Sequence, residues 1–402
     1  MRRLAERSGR ISVSPTMQVT AAVDRLRREG VAVLDFGAGE PDFGTPAAIN
    51  DAARDAIDRD FTKYTPVGGT ADLKRAICQR YRDDYGVEYR EHEVIASAGG
   101  KQALFNAALT LFGPGDEVVL HVPGWPTLIE QVRLAEATPV IVTTTVENGF
   151  ALTAKLLLDA VTPRTKGIVI NSPGNPTGAL ISEDELALVA KSAAARGIWV
   201  VVDLCYEQLI YDAVPHNLPA VLDRHAREWS IVCGSASKSY AMTGWRCGWS
   251  IGPADAIAAQ SALQSHATSN VSSITQKAVV AALTGSQEPV RQMRDEYRRR
   301  RDCLHEWLTA DPRIRCTKPD GAFYMFPDLR AVLPAMGFAG TFDFAQALLD
   351  EARVAVTPGE AFEAPGFVRL SFATSMDVLR EGSERLLSFV ARRAAGREAA
   401  IG

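Results

Sequence analysis

Through the middle of the chain, short runs rich in valine and isoleucine alternate with longer runs in which alanine and leucine recur at helical spacing. The short runs are EVIAS (93–97), DEVVLHV (116–122), PVIVTTT (139–145), GIVINS (167–172), GIWVVVDL (197–204), WSIVCGS (229–235) and RCGWSIG (246–252). Their apolar residues are consecutive rather than alternating, the pattern of strands buried on both faces. GGKQALFNAALTLF and WPTLIEQVRLAEA read as helices between strands, and the turn residues Gly113-Pro-Gly-Asp116 lead from helix back to strand. The alternation predicts an α/β fold: a large domain built on a mostly parallel, seven-stranded sheet with helices on both sides. After about residue 290 the pattern changes. VRQMRDEYRRRRDCLHEWL places Val290, Met293, Tyr297, Leu304 and Leu308 at helical intervals, an amphipathic helix whose YRRRRD run is assigned to the wet face. GAFYMFPDL (321–329), FAQALLDEARVAVTPGEAF and FVRLSFATS (367–375) mix both patterns and predict a smaller α+β domain. The expected division is an N-terminal arm and small-domain segment at 1–45, a large domain at 46–289 and a small domain at 290–402.

Composition adds exclusions. The chain has 402 residues, 47% hydrophobic and 23% charged, as ordinary globular proteins do, and is long enough for two domains. A net charge of −4 gives no electrostatic case for nucleic acid. Six cysteines include no Cys-x-x-Cys pair and six histidines no His-x-x-x-His, so neither a zinc site nor a disulfide framework is expected. The start, MRRLAERSGRISVSPT, lacks the apolar segment of a signal peptide, and no run of about 18 apolar residues occurs, so the cytoplasm is the expected location.

Several predicted strands end in polar residues that an apolar sheet does not need. VVVDLCY carries Asp203, with Tyr206 three residues on; IVINSPGNPTG carries Asn175; VIASAGG runs into Gly99, Gly100 and Lys101 at a helix start; IVCGSASK ends in Lys238. Singly, these read as a helix cap, a turn, a strand-to-helix turn and a solvated lysine. Together they lie where open α/β sheets bind ligands. A helix start with serines and an arginine (Ser235, Ser237 and Arg246 in SASKSYAMTGWR) suits a phosphate. A buried carboxylate suits a protonated ring nitrogen, and a lysine suits an aldehyde with which it forms an imine. One molecule offers all three groups: pyridoxal 5′-phosphate.

The ordered motifs LDFGAGEPDF (34–43), KYTPVGG (63–69), GGKQALFN (99–106), NSPGNPTG (171–178), DLCYEQLIYD (203–212), SASKSYAMTGWRCGW (235–249) and VRLSFATS (368–375) are spread along nearly the whole chain. In them the sequence resembles the fold-type I, class I aminotransferases, specifically their bacterial aspartate aminotransferase branch. The resemblance implies a ping-pong transamination through a Schiff base on Lys238, which then moves the substrate's α-proton. It implies that Asp203 pairs with the pyridine nitrogen, and that Tyr206 and Asn175 hydrogen-bond the ring's phenolic oxygen. Ser235, Ser237, Arg246 and the helix start at Gly99, Gly100 and Lys101 would hold the phosphate, and Trp125 would stack on the ring. Arg369 and Gly39 would take the substrate α-carboxylate. Tyr64 would reach the phosphate of a partner subunit, in a homodimer with shared sites. Lys101, with Ser14 and Thr16 of the partner's arm, would read a second carboxylate, favouring aspartate and glutamate with their 2-oxo acids.

The chain departs from the family pattern at Leu204, where Asp203-Leu-Cys-Tyr206 stands for Asp-Glu-x-Tyr, at Gly124 and Pro126 around the stacking tryptophan, and at Gly174. These positions lie beside the catalytic ones and bear on substrate choice. The alternatives they leave open are another amino acid of a specialised biosynthetic pathway, or a β-lyase using the same cofactor.

Overall fold

In the computed structural model the seven predicted strands form one sheet. The structure describes Gly9 and residues 15–401, without the side chains of 15–20, 22 and 396–401. In chain order the strands are β1 (Leu34–Asp35), β2 (Val94–Ser97), β3 (Glu117–Val122), β4 (Thr138–Thr143), β5 (Thr165–Asn171), β6 (Trp199–Asp203), β7 (Ser230–Ser235), β8 (Gly248–Ile251), β9 (Tyr324–Met325), β10 (Val354–Ala355), β11 (Thr357–Pro358) and β12 (Val368–Ser371). The large sheet has the order β2-β8-β7-β6-β5-β3-β4. Its pairs are parallel from β7 through β4, and β8 runs antiparallel to both β7 and β2.

Away from the half-exposed edge strand β4, both faces of this sheet are dry, which is why its inner strands carry unbroken apolar runs. Val200 and Val202 pack on one side with Ile168, Ile170, Leu186, Val189 and Leu222. Val201, between them, points to the other side, where Val118, Leu120, Leu104, Ala107 and Val132 meet it. Each such valine or leucine, fully buried, contributes about 1.5–3 kcal/mol. The register then sets the site. Asn171 lies opposite Asp203, Asp203 opposite Cys233, and Gly248 opposite both Ser235 and Ser97, so these polar strand ends share one edge.

A separate apolar cluster joins Phe36 to Tyr297, Leu304, Phe323, Tyr324, Leu348, Val368 and Phe389. β12 pairs antiparallel with β9 and β11. The start of the chain belongs here too: β1 pairs in parallel with β10, and Val23 and Leu26 of the Pro15–Arg28 helix pack against Leu349 and Ala355.

The Glu288–Thr309 helix departs from its expected pattern. Arg298 and Arg299 face solvent, but Arg300 and Arg301 are only 7% and 1% exposed. They follow Tyr297 by three and four residues and precede Leu304 by four and three, so they lie on the buried stripe. Burial of a guanidinium requires partners. Arg301 has Asp212 and Asp302 at 2.7 Å, donates to the Pro319 carbonyl and lies over the Tyr211 ring.

Candidate active site

The polar strand ends open into a cavity of about 860 Å³ between the large sheet and the β9–β12 cluster. Of the residues expected at the site, Gly39, Gly100, Lys101, Trp125, Asn175, Asp203, Tyr206, Ser235, Ser237, Lys238, Arg246 and Arg369 all line it. Gly99 adjoins it as the N-cap of the Gly100–Leu111 helix. Tyr64 does not line it: its side chain is 91% exposed on this single chain. Ser14 and the side chain of Thr16 lie outside the described residues.

Lys238 sits in the single turn Ala236–Ser239, which starts directly at the end of β7. The Ser235 hydroxyl caps that turn by accepting from the Ser237 N–H at 3.1 Å. Burial lowers the Lys238 pKa; Arg369 and Arg246 act in the same direction, against Cys205 and Glu40. Its Nζ donates to the Gly39 carbonyl.

Asp203, at the end of β6, is 3% exposed. Burial pushes its carboxyl up to about 7, although the Cys205 N–H donates to Oδ1 at 3.0 Å and Asn171 Nδ2 to Oδ2 at 3.1 Å. A buried carboxyl so placed would return to the ionised form beside a cation. Cys205, which follows the departure at Leu204, contributes that N–H, while burial pushes its thiol up to about 12.

Asn171 is a site residue without an assigned role in the sequence reading. Its Oδ1 accepts the Asn175 N–H at 2.9 Å, so one side chain ties the Asp203 carboxylate to the Asn175 loop. His121 steadies it from behind, Nε2 accepting the Asn171 N–H at 3.2 Å, and burial keeps this imidazole neutral with its pKa down at about 4. The signal was available, since Asn171 stands at a strand end within NSPGNPTG. Tyr324 is the second addition: its hydroxyl and that of Tyr206 are 2.8 Å apart. Burial raises both phenols, so both stay protonated.

Arg369, on β12, is 3% exposed. Nη1 donates to Asn175 Oδ1 at 3.0 Å and Nη2 to the Gly37 carbonyl at 2.9 Å, and the guanidinium lies 4.3 Å from the Tyr324 ring centroid. Its Nε is buried without a partner. An unmet donor on a buried arginine calls for an acceptor such as a carboxylate.

On the opposite side, Arg246 has left-handed backbone (φ 57°) and donates to the carbonyls of Thr243 and Ala98. Gly99 has φ 92°, and a Cβ there would stand 2.3 Å from Arg246 Nη2. Only glycine lets the guanidinium cross the helix start, where unpaired N–H groups and the helix dipole already favour an anion. Lys101 stands exposed at the rim, Nζ 5.0 Å from the Trp125 ring centroid. Partial burial of its amine, then Arg246, lowers its pKa. Gly124 is required locally, since a Cβ would meet the His121 carbonyl at 2.5 Å.

Residues 31–386 match the family described as aminotransferase class I and II. The chain belongs to that family. This aminotransferase is 42% identical over 392 residues to the aspartate aminotransferase of Geobacillus stearothermophilus, covering 98% of this chain and all of that one. It is 40% identical to the aspartate aminotransferase of Bacillus sp. strain YM-2, covering 96% and 99%. Among solved structures, the aspartate aminotransferase of Thermus thermophilus with maleate matches with a TM-score of 0.91 and 39% identity, over 97% of this chain and 100% of that one. The aminotransferase thus acts on amino acids and 2-oxo acids, and its sheet and chain course are those of its solved relatives.

Proposed function

We propose that this aminotransferase uses pyridoxal 5′-phosphate to exchange the amino group between aspartate or glutamate and their 2-oxo acids. The observation that carries the reading is that Lys238, Asp203 and Arg369 line one cavity, with Arg369 Nε still lacking an acceptor. The donor set fits the cofactor. The Gly99–Lys101 helix start with Ser235, Ser237 and Arg246 would hold the phosphate, Asp203 the ring nitrogen, and Tyr206 and Asn175 the ring oxygen, with Trp125 against the ring face. When bound, the cofactor supplies an aldehyde for an amine and a ring that accepts the electrons left behind when the α-proton departs.

The chain's own residues do the rest. A lysine with lowered pKa is neutral more of the time, so Lys238 Nζ can act as nucleophile and then carry the α-proton. Tyr206, held as a phenol, keeps a proton that it can donate. Arg369 offers a planar fork to the α-carboxylate, and Gly39 beside it adds no side chain to the approach. Lys101 at the rim offers a cation to a second carboxylate. The aspartate aminotransferase names of the relatives support that choice.

A homodimer with shared sites completes the reading. Tyr64, exposed on the single chain, would reach the partner's phosphate, and the Ser14 and Thr16 arm would close the distal pocket. The cytoplasm is the proposed compartment. All six cysteines are free, as a reducing compartment keeps them, and among the described residues no helix is long and apolar enough to cross a membrane.

The test is a panel of amino and 2-oxo acids followed by the cofactor's absorbance. Aspartate with 2-oxoglutarate should give glutamate, and borohydride should fix the cofactor on Lys238. Release of pyruvate and ammonia, turnover only of basic or aromatic amino acids, or reduction onto another lysine would each contradict the proposal.

A further inference from the structure

The segment from Gly37 to Thr45 has no regular secondary structure, yet it touches both sides of the site. Its Gly37 carbonyl accepts from Arg369, and its Gly39 carbonyl accepts from Lys238. Its start is held by the Gly37 N–H on Asp35 Oδ1 and by the backbone of Phe36 on Ala355 and Ser371, and the rest, without a backbone ladder, is placed by its side chains. At its far end Thr45 Oγ1 donates to the Ala241 carbonyl at 2.7 Å and accepts from Trp245 Nε1 at 3.0 Å. Glu40 accepts from the Thr243 hydroxyl at 2.8 Å. These contacts tie it to the stretch that directly follows the turn carrying Lys238.

On the Arg369 side the tie is Asp42. Arg300 Nη1 donates to both carboxylate oxygens of Asp42, at 2.8 and 2.9 Å, and the Tyr297 hydroxyl donates to Oδ1 at 3.2 Å. The Arg300 guanidinium also lies 5.2 Å from the Phe43 ring centroid and 5.5 Å from that of Tyr297, and Glu296 accepts from its Nε. Two consecutive residues of the segment, Asp42 and Phe43, are therefore held by one buried arginine of the YRRRRD run.

We infer that Asp42 and Arg300 are positioning residues for substrate-carboxylate binding. By fixing the segment they fix the Gly37 carbonyl, and that carbonyl with Asn175 sets the direction in which Arg369 presents its fork. Neither residue touches the substrate. The inference rests on the reading of Arg369 as the α-carboxylate site. Because every amino acid carries that carboxylate, loss of the pair should weaken all substrates alike, unlike loss of a group that reads a side chain.

The experiment compares holoenzyme carrying Asp42→Asn, Arg300→Met or Arg300→Lys with the parent. Both kinetic constants are measured for aspartate and for alanine, with amide hydrogen exchange over residues 37–45. For Asp42→Asn and Arg300→Met, KM is expected to rise on the order of ten-fold for both amino acids, with kcat changing much less and exchange in the segment accelerating. Arg300→Lys, which keeps the charge but loses the fork, should fall between these variants and the parent. Unchanged KM, a fall confined to kcat, or an effect on aspartate alone would overturn the inference. Should Arg300→Met not fold, Asp42→Asn reads the same quantity, because Asp42 is the more exposed partner, at 29%. If the parent ignores aspartate but turns over other amino acids, the substrate reading fails, while the KM comparison on those amino acids still decides the role of the pair.

Discussion

Replacing Arg369 by lysine keeps the charge and removes the geometry. In the structure Nη1 and Nη2 each serve one protein acceptor, Asn175 Oδ1 and the Gly37 carbonyl, and each keeps a second N–H for a ligand. A lysine has one nitrogen for these tasks. One of the two protein acceptors would be left buried and unmet, at a cost of about 1–3 kcal/mol, and the charge-assisted bonds to a carboxylate would weaken by about 1.5–3 kcal/mol. Part of the first cost falls equally on the free enzyme and on the complex, so the loss in transition-state binding is about 2–4 kcal/mol. That converts to a fall in kcat/KM of roughly 30- to 1,000-fold. The assay is steady-state kinetics with aspartate and alanine, beside a titration of the apoenzyme with pyridoxal 5′-phosphate. Both amino acids should lose by similar factors, and cofactor affinity should hold within a few fold, since the phosphate donors lie on the other side of the cavity. A loss below about five-fold, or one confined to aspartate, would refute the assignment of Arg369 to the α-carboxylate.

Asp203→Asn should slow α-proton removal by at least about a hundred-fold while the cofactor stays bound. The new amide also meets two donors, Cys205 N–H and Asn171 Nδ2, with a single acceptor, so rapid-mixing spectra near the parent rate would count against the role given to Asp203. Lys101→Ala should lower kcat/KM for aspartate by about five-fold or more and leave phenylalanine unchanged; the figure is modest because Lys101 is exposed on the single chain, and equal losses for both would remove it from the distal pocket. Glu207, which accepts from Tyr85 at 2.8 Å and Tyr81 at 3.3 Å, has its carboxyl pushed up to about 8 by burial. Its stabilising contribution is present in full below the ordinary range of a glutamate and is lost as pH rises through about 8, so Glu207→Gln should flatten the fall of Tm between about pH 5.5 and 8.5; a parallel decline in both proteins would contradict this.

The large sheet was legible because its strands, apart from the half-exposed edge strand β4, are buried on both faces and say so in apolar runs. GIWVVVDL contains β6 with little to spare, and GIVINS covers β5 except for its first two residues. The parallel course of most strands was legible from the helices between them, but the reversal of β8 was not. RCGWSIG reads like its neighbours, and only the pairing with both β7 and β2 makes β8 antiparallel. The site was readable where a polar residue interrupts an apolar run, as at Asp203 and Lys238. Tyr324 escaped because it lies inside the apolar stretch GAFYMFPDL, and its hydroxyl gains meaning only from Tyr206, far away in sequence. Arg300 and Arg301 were misassigned because residue type was given more weight than periodicity. Their spacing from Tyr297 and Leu304 already placed them on the buried stripe.

The pairing of β1 with β10 has a consequence for how the protein is made. Leu34 leaves the ribosome roughly 320 residues before its partner Val354, a wait of about 20–60 s at ordinary rates of synthesis. Once Ile251 has been made, about 100 residues before Val354, the large sheet can close on its own strands, whereas Leu34 still lacks its partner Val354, and Val23 and Leu26 lack Leu349 and Ala355. A nascent chain would therefore carry a nearly finished domain behind a sticky leader. Substitutions at Leu349, Val354 or Ala355, all made late, would show themselves first as aggregation through residues made early.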